Sequence, residues 1–190
     1  PQRKWAMTAI AIGISVAVLD GAIANVALPT IAQDLNVNPA SSIWVVNAFQ
    51  LAVTISLLAF SSLGDLWGYK KVYVGGLLLF SITSLICALS DSFWTLVLAR
   101  GLQGFGAAAI TSVNTALLRI IYPGRLLPRG MGTNALIIAV AAAAGPTVAA
   151  GILSVAPWPW LFAINVPIGL TAFILSAKFL PHNPVKVEGQ

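Results

Sequence analysis

The chain has 190 residues, of which 58% are hydrophobic and only 8% charged, with a mean hydropathy of +0.92. That balance excludes an ordinary water-soluble domain, and one cysteine with one histidine leaves no material for a disulfide framework or a Cys/His metal site. The net charge of +5 would suit nucleic acid, but the basic residues sit at the ends of apolar runs rather than in one patch, so no nucleic-acid partner is expected.

Six apolar runs of about 18–26 residues follow one another, each long enough to cross the hydrocarbon core of a bilayer. They are Trp5–Leu28, Ile43–Leu63, Val72–Leu89, Phe93–Leu118, Met131–Val155 and Trp160–Leu180. No strand-like alternation competes with them, and the expected fold is an all-α membrane protein with six transmembrane helices. Residues 1–181 form that helical domain and 182–190, PHNPVKVEGQ from Pro181 onward, read as a cytoplasmic tail or the start of a linker.

The first span follows Arg3-Lys4 and carries Gly13, Ala17, Asp20 and Ala24 on one stripe. Its opening resembles the parts of a signal peptide, yet Asp20 falls where the apolar core should finish and the helical pattern continues to Pro29, so the span is expected to stay. A polar connection, Asp34–Ser42, leads to the second span, where Asn47, Gln50 and Thr54 recur at i, i+3 and i+7 on one helix face. The tight turn GDLWGYKK then enters the third span, which holds the lone Cys87. The fourth span carries Arg100, Gln103, Ala107, Thr111 and Asn114 along one stripe, with Gly101, Gly104 and Gly106 among them. The connection Arg119–Gly130 contributes three arginines, and the fifth span combines Gly145-Pro146 with many alanines. Small residues mark helix contact faces in lipid, and Pro146 removes a backbone donor and bends its helix. His182, in the polar tail, reads as a solvated residue.

All basic residues except Arg100 fall on one side of this arrangement, whereas the opposite loops hold Asp34 and Asp91 and no lysine or arginine. The positive-inside rule makes the basic side cytoplasmic, with both termini on it. Trp5 and Trp67 fall at the inner boundary and Trp44, Trp94, Trp158 and Trp160 at the outer one, where amphipathic indoles settle.

Asp20 is the only carboxylate within the spans, and Arg100 the only basic residue away from their ends. A charge at mid-membrane depth costs roughly 2.5–3.5 kcal/mol on insertion scales, and such residues by default mark pathways or relays. Asp20 lies about eight residues before the outer end of its span and Arg100 about seven after the start of its own. At about 1.5 Å per residue both sit roughly 10–12 Å below the outer boundary. A proton-responsive pair is the functional reading; an ion pair that only orders the bundle is the structural one. The stripe polar groups Asn47, Gln50, Thr54, Gln103 and Asn114 have two readings of equal weight, the lining of a solvated cavity or interhelical hydrogen bonding. No histidine lies in a span, so a nucleophile with its base is absent there, and neither an enzyme nor a cofactor is expected.

Several stretches together resemble the major facilitator superfamily. GDLWGYKK (Gly64–Lys71) is similar to its signature loop, with Asp65, Gly68 and Lys70 as the acid, turn glycine and base, although Leu66 and Tyr69 replace basic residues and Ser61 a glycine. LDGAIANVALPTIAQDL, LARGLQGFGAAA, AAAAGPTVAAG and WPWLFAINVPIG resemble, in order, motifs of the first, fourth, fifth and sixth helices of fourteen-span drug exporters. Gly145 and Pro146 match the antiporter motif, while alanines stand at three customary glycines.

The resemblance implies the N-terminal six-helix bundle of that fold, an inverted three-plus-three repeat, although no residue-by-residue repeat is visible. It also implies alternating-access export of lipophilic, chiefly cationic, drug-like compounds from a bacterial inner membrane. Asp20 and Arg100 would couple protons to transport, and the Asp65 loop would steady a cytoplasmic gate. The remaining partners it implies are the lipid bilayer and a C-terminal half outside this sequence. A homodimer of half-size transporters, a structural membrane subunit, or self-association through a face the other half would cover are the alternatives.

Overall fold

A computed structural model of the chain describes residues 2–181, so the tail 182–190 with His182 and Lys186 lies outside the described residues. All secondary structure among them is helical: α1 (Gln2–Asp34), α2 (Pro39–Ser42), α3 (Trp44–Trp67), α4 (Tyr69–Ala88), α5 (Phe93–Ile121), a 3₁₀ turn (Gly124–Leu126), α6 (Leu127–Leu153), α7 (Pro159–Ala163) and α8 (Asn165–Phe179). Six helical segments are long and apolar enough to cross a membrane, at the six expected places. α1 runs past Leu28 and through Pro29 to Asp34, and the outer connection contains the short α2, opened by Pro39 and capped by the Asn38 side chain. The last span divides into α7 and α8 just before Pro167, which has no N–H to offer the preceding turn.

The packing follows an internal symmetry. α1 packs on α6 and α8, and α5 packs on α3 and α4. Exchanging the first three spans with the last three converts one set of contacts into the other. Because each set has an odd number of spans, the two run in opposite directions through the bundle. That is the inverted three-plus-three repeat. Across the symmetry relation α1 meets α5 and α4 meets α8.

Close approach is set by small residues, as expected where lipid supplies no hydrophobic drive. A Cβ on Gly76 would stand 2.7 Å from Ala109 Cβ, and one on Gly106 would stand 2.8 Å from Phe80 N, so α4 and α5 touch backbone to backbone. A Cβ on Gly145 would collide with Ala22 of α1, and one on Gly169 with Ser81 of α4. α1 and α5 are the most enclosed long helices, whereas α3 and α6 leave broad apolar faces open.

Candidate functional site

Asp20 is buried on the α1 stripe formed with Gly13, Ala17 and Ala24, all of which face protein. Arg100 and Gln103, one turn apart on α5, are completely buried opposite it. Arg100 Nη1 donates to Asp20 Oδ2 at 2.5 Å and to Gln103 Oε1 at 2.6 Å. The Gln103 amide donates to Asp20 Oδ1 at 3.2 Å and to Ser84 Oγ of α4 at 2.8 Å. Arg100 Nε is held by the Val45 carbonyl of α3 at 3.1 Å, and its guanidinium lies 4.2 Å from the Phe49 ring centroid and 5.4 Å from that of Phe162. This is the one ion pair among the described residues.

Asn165 completes the carboxylate's shell. It opens α8 directly after the helix break, and its Nδ2 donates to Asp20 Oδ1 at 2.6 Å. Asp20 therefore accepts from Arg100, Gln103 and Asn165, and the network ties α1 to α3, α4, α5 and α8. The sixth span's only amide was the visible signal for this residue, and its surroundings, FAINVP, gave no reason to aim it at Asp20. Ser84 and the two aromatic rings carried no signal, since each is an ordinary residue of an apolar helix.

The network is not saturated. Arg100 Nη2, with its two N–H groups, and Asn165 Oδ1 are buried without a hydrogen-bond partner among the described residues. Cys87 Sγ, also buried, lies 3.6 Å from Gln103 Oε1 and closes the α4 side. No cluster of metal-ligating residues occurs among the described residues.

The other expected site residues lie elsewhere. Asn114 is buried and donates to Asn134 Oδ1 of α6 at 3.2 Å. It sits eleven residues beyond Gln103, roughly 16 Å further along α5. Asn47 is half-buried and Gln50 and Thr54 are exposed on the open face of α3, with the Thr54 hydroxyl returned to the Gln50 carbonyl. The polar stripe thus divides into a buried cluster, a separate amide pair and an open helix face.

In the signature loop, Gly68 turns the chain from α3 into α4 at φ 97°, a left-handed value that favours glycine. Asp65 is exposed and accepts from the Tyr69 hydroxyl at 2.5 Å, so the residue standing in place of a base supplies the acid's donor. Lys70 Nζ reaches the Leu180 carbonyl at 2.8 Å and fastens the end of α8. Gly145 seats α6 on Ala22, half a turn from Asp20, with Pro146 inside α6. Trp158 corrects one expectation: it lies at the outer end but is buried, donating to Asp34 at 2.7 Å, instead of resting in the lipid interface. The indole N–H finds a protein acceptor where α7 folds back over the end of α1.

Comparison with known proteins adds independent findings. The family model of the Major Facilitator Superfamily matches residues 10–190. The chain is 64% identical over 183 residues to the uncharacterized transporter YebQ of Escherichia coli K12, covering 96% of this chain and 40% of that protein. It is 35% identical to the riboflavin transporter RibZ of Clostridioides difficile, covering 95% of this chain and 40% of that protein. It is 33% identical to the tetracenomycin C resistance and export protein of Streptomyces glaucescens, covering 94% and 33%. The crystal structure of the human organic anion transporter MFSD10 superposes with a TM-score of 0.74 at 15% identity, over 97% of this chain and 49% of that one, a likeness of fold alone. The chain spans about 40% of the length of the curated relatives YebQ and RibZ. It belongs to the Major Facilitator Superfamily, a family of membrane-embedded transporters.

Proposed function

We propose, with that membership as premise, that the chain is the N-terminal half of a proton-coupled efflux transporter that exports lipophilic, chiefly cationic compounds by alternating access. The observation that carries this reading is the buried Asp20 held by donors from two other helices. An ionised carboxylate only accepts hydrogen bonds, whereas a protonated one carries a donor of its own. Proton uptake at Asp20 would therefore place a donor against Arg100, Gln103 or Asn165 and break at least one link between α1 and α5 or α8. The unpartnered acceptor Asn165 Oδ1 would take the hydrogen bond of the new Asp20 proton. Closing and opening of the pathway would change the exposure of this network, so that the proton is taken up in one state and released in the other.

Substrate would meet the open face of α3, with Asn47, Gln50 and Thr54, and pass towards the Asn114–Asn134 pair. The Asp65 loop would steady the gate, and Gly145-Pro146 would hold α6 on α1 near the coupling acid. The export direction is supported by the tetracenomycin relative, and the missing half by the share of each relative that this chain covers. The name of the riboflavin relative supports a flavin-like substrate equally well. The bacterial relatives support an inner-membrane location, and the Lys/Arg distribution supports both ends being cytoplasmic; residues 1–181 would be the helical domain and 182–190 a cytoplasmic tail or the start of a linker.

The test is substrate-induced proton release in the full-length transporter, comparing wild type with Asp20→Asn across drug cations and riboflavin. Release and efflux should be lost together in the variant, which keeps the side chain's size. Undiminished release would reduce Asp20 to a structural ion pair and place coupling in the other half. Efflux from vesicles containing only this chain would favour the homodimer. Labelling by an impermeant thiol reagent on intact cells should reach Asn38→Cys and not Arg125→Cys; the reverse pattern overturns the orientation.

A further inference from the structure

We propose that the basic end of the bundle holds a binding site for the headgroup of an anionic phospholipid, a role separate from export and resting only on the bundle lying in a membrane. A recess of about 420 Å³ opens there between α1, α4, α5 and α8. Arg3, Lys70 and Lys178, one from each of three helices, line it, and Ala6, Ile120 and Ile121 supply an apolar wall. One concave surface thus offers cations for a phosphate and hydrocarbon for the glycerol and upper acyl chain.

Nothing among the described residues neutralises those cations. Asp65 accepts from Tyr69 within its own loop, Asp20 lies in the core, and Asp34 and Asp91 belong to the opposite end of the helices. Lys70 spends one of its three donors on the Leu180 carbonyl, a bond that pins its stem against the recess and leaves two donors free. The Arg3 guanidinium lies 5.7 Å from the Tyr122 ring centroid, which fixes its position without cancelling its charge.

The recess also lies at headgroup depth. Trp5 stacks on Phe179 with ring centroids 5.5 Å apart, and both belong to the turns that carry Arg3 and Lys178. Trp5 is exposed, as an aromatic anchor at a membrane boundary is. Basic pockets between transmembrane helices take anionic headgroups by this combination of charge and depth. A soluble phosphate would gain the charge contacts and leave the apolar wall uncovered, so the lipid is the favoured source of the phosphate.

The experiment is lipid retention by the purified full-length transporter in native mass spectrometry, with phosphatidylglycerol or phosphatidylcholine supplied in the detergent. Wild type should retain phosphatidylglycerol selectively. Arg3→Gln with Lys178→Gln should weaken retention by roughly fivefold per charge, the scale of one basic side chain at an anionic surface. Lys71→Gln with Arg125→Gln removes two basic-end charges outside the recess and should leave retention unchanged. Equal losses in both double variants would mean diffuse surface attraction and overturn the site, as would undiminished retention in the first. Thermal unfolding of the wild type gives a readout that needs no variant. Phosphatidylglycerol should raise the midpoint more than phosphatidylcholine or inorganic phosphate, and an equal rise with inorganic phosphate would replace the lipid by a soluble anion.

Discussion

Two aspartates, Asp20 in the bundle and Asp65 at its basic end, show what the same side chain does in two settings. Asp20 is 1% exposed and accepts from Arg100, Gln103 and Asn165, residues 80, 83 and 145 positions away in the chain. Asp65 is exposed and accepts from Tyr69, four positions on. The first bond set can form only after distant helices have packed; the second closes a local junction between α3 and α4. Burial makes the difference energetic as well as topological. In a low-dielectric interior each charge must be paired and its remaining lone pairs met by donors, whereas water supplies the same service at the exposed loop.

The largest effect should come from Arg100→Ala. Removing one partner of a buried pair leaves an uncompensated charge, at a cost of about 3–5 kcal/mol. Chemical unfolding in detergent should show the loss, and Arg100→Lys should restore only part of it, because an ammonium lacks the fork that serves Asp20, Gln103 and the Val45 carbonyl together. A stability unchanged by the alanine would mean that the pair contributes nothing to the fold and would erase the contrast with Asp65.

Asn165→Ala should rank next. Its amide gives Asp20 a bond of the charge-assisted kind, worth about 1.5–3 kcal/mol. Because the bond crosses from α8 to α1, the variant should also speed hydrogen exchange in α8. Uniform exchange with the wild type would show that packing at Gly169 and Ser81, and not this bond, holds α8 in place.

Gly104→Ala sharpens the comparison from the packing side. A Cβ there would stand 2.5 Å from the Phe49 carbonyl oxygen and 2.8 Å from Ala52 Cβ, and Phe49 is the ring over the Arg100 guanidinium. Overpacking costs about 1–3 kcal/mol, and α3 must yield, carrying Phe49 with it. Gly101, one turn away on the same helix, has nothing within 4 Å of the corresponding position. Gly101→Ala should therefore be neutral or slightly stabilising, since alanine is the better helix former. Similar losses at 101 and 104 would show general helix sensitivity in place of a specific contact.

What the sequence revealed divides along the same line. The six spans were legible because hydropathy is a property of each segment by itself. Counting along the helices placed Asp20 and Arg100 at one depth, and the family resemblance, by making the first and fourth helices neighbours, supplied the rest of their contact. Asn165 was not, because its direction depends on the break before Pro167 and on how α8 lies against α1. Asn47, Gln50 and Thr54 share a helix face with one another, but periodicity alone does not say whether that face meets protein, and here it is the open one. Trp158 illustrates the same limit: its position at the outer boundary was legible, its burial against Asp34 was not.

The smallest effect on stability should come from the loop, where two substitutions separate charge from hydrogen bonding. Asp65→Asn removes the charge but leaves a carbonyl oxygen that the Tyr69 hydroxyl can still donate to; Tyr69→Phe keeps the charge and removes the bond. Exposed sites of this kind usually move stability by no more than about 0.5 kcal/mol, so both variants should unfold with the wild type. Their transport rates in the full-length protein should diverge. If the loop steadies a gate through its charge, Asp65→Asn slows transport several-fold while Tyr69→Phe leaves it nearly intact. If the junction geometry matters instead, Tyr69→Phe is the slower of the two, because the bond spans Gly68 and sets the angle at which α4 leaves α3. Wild-type rates in both variants would make the loop a simple turn, and the contrast between the two aspartates would then be one of function as well as of burial.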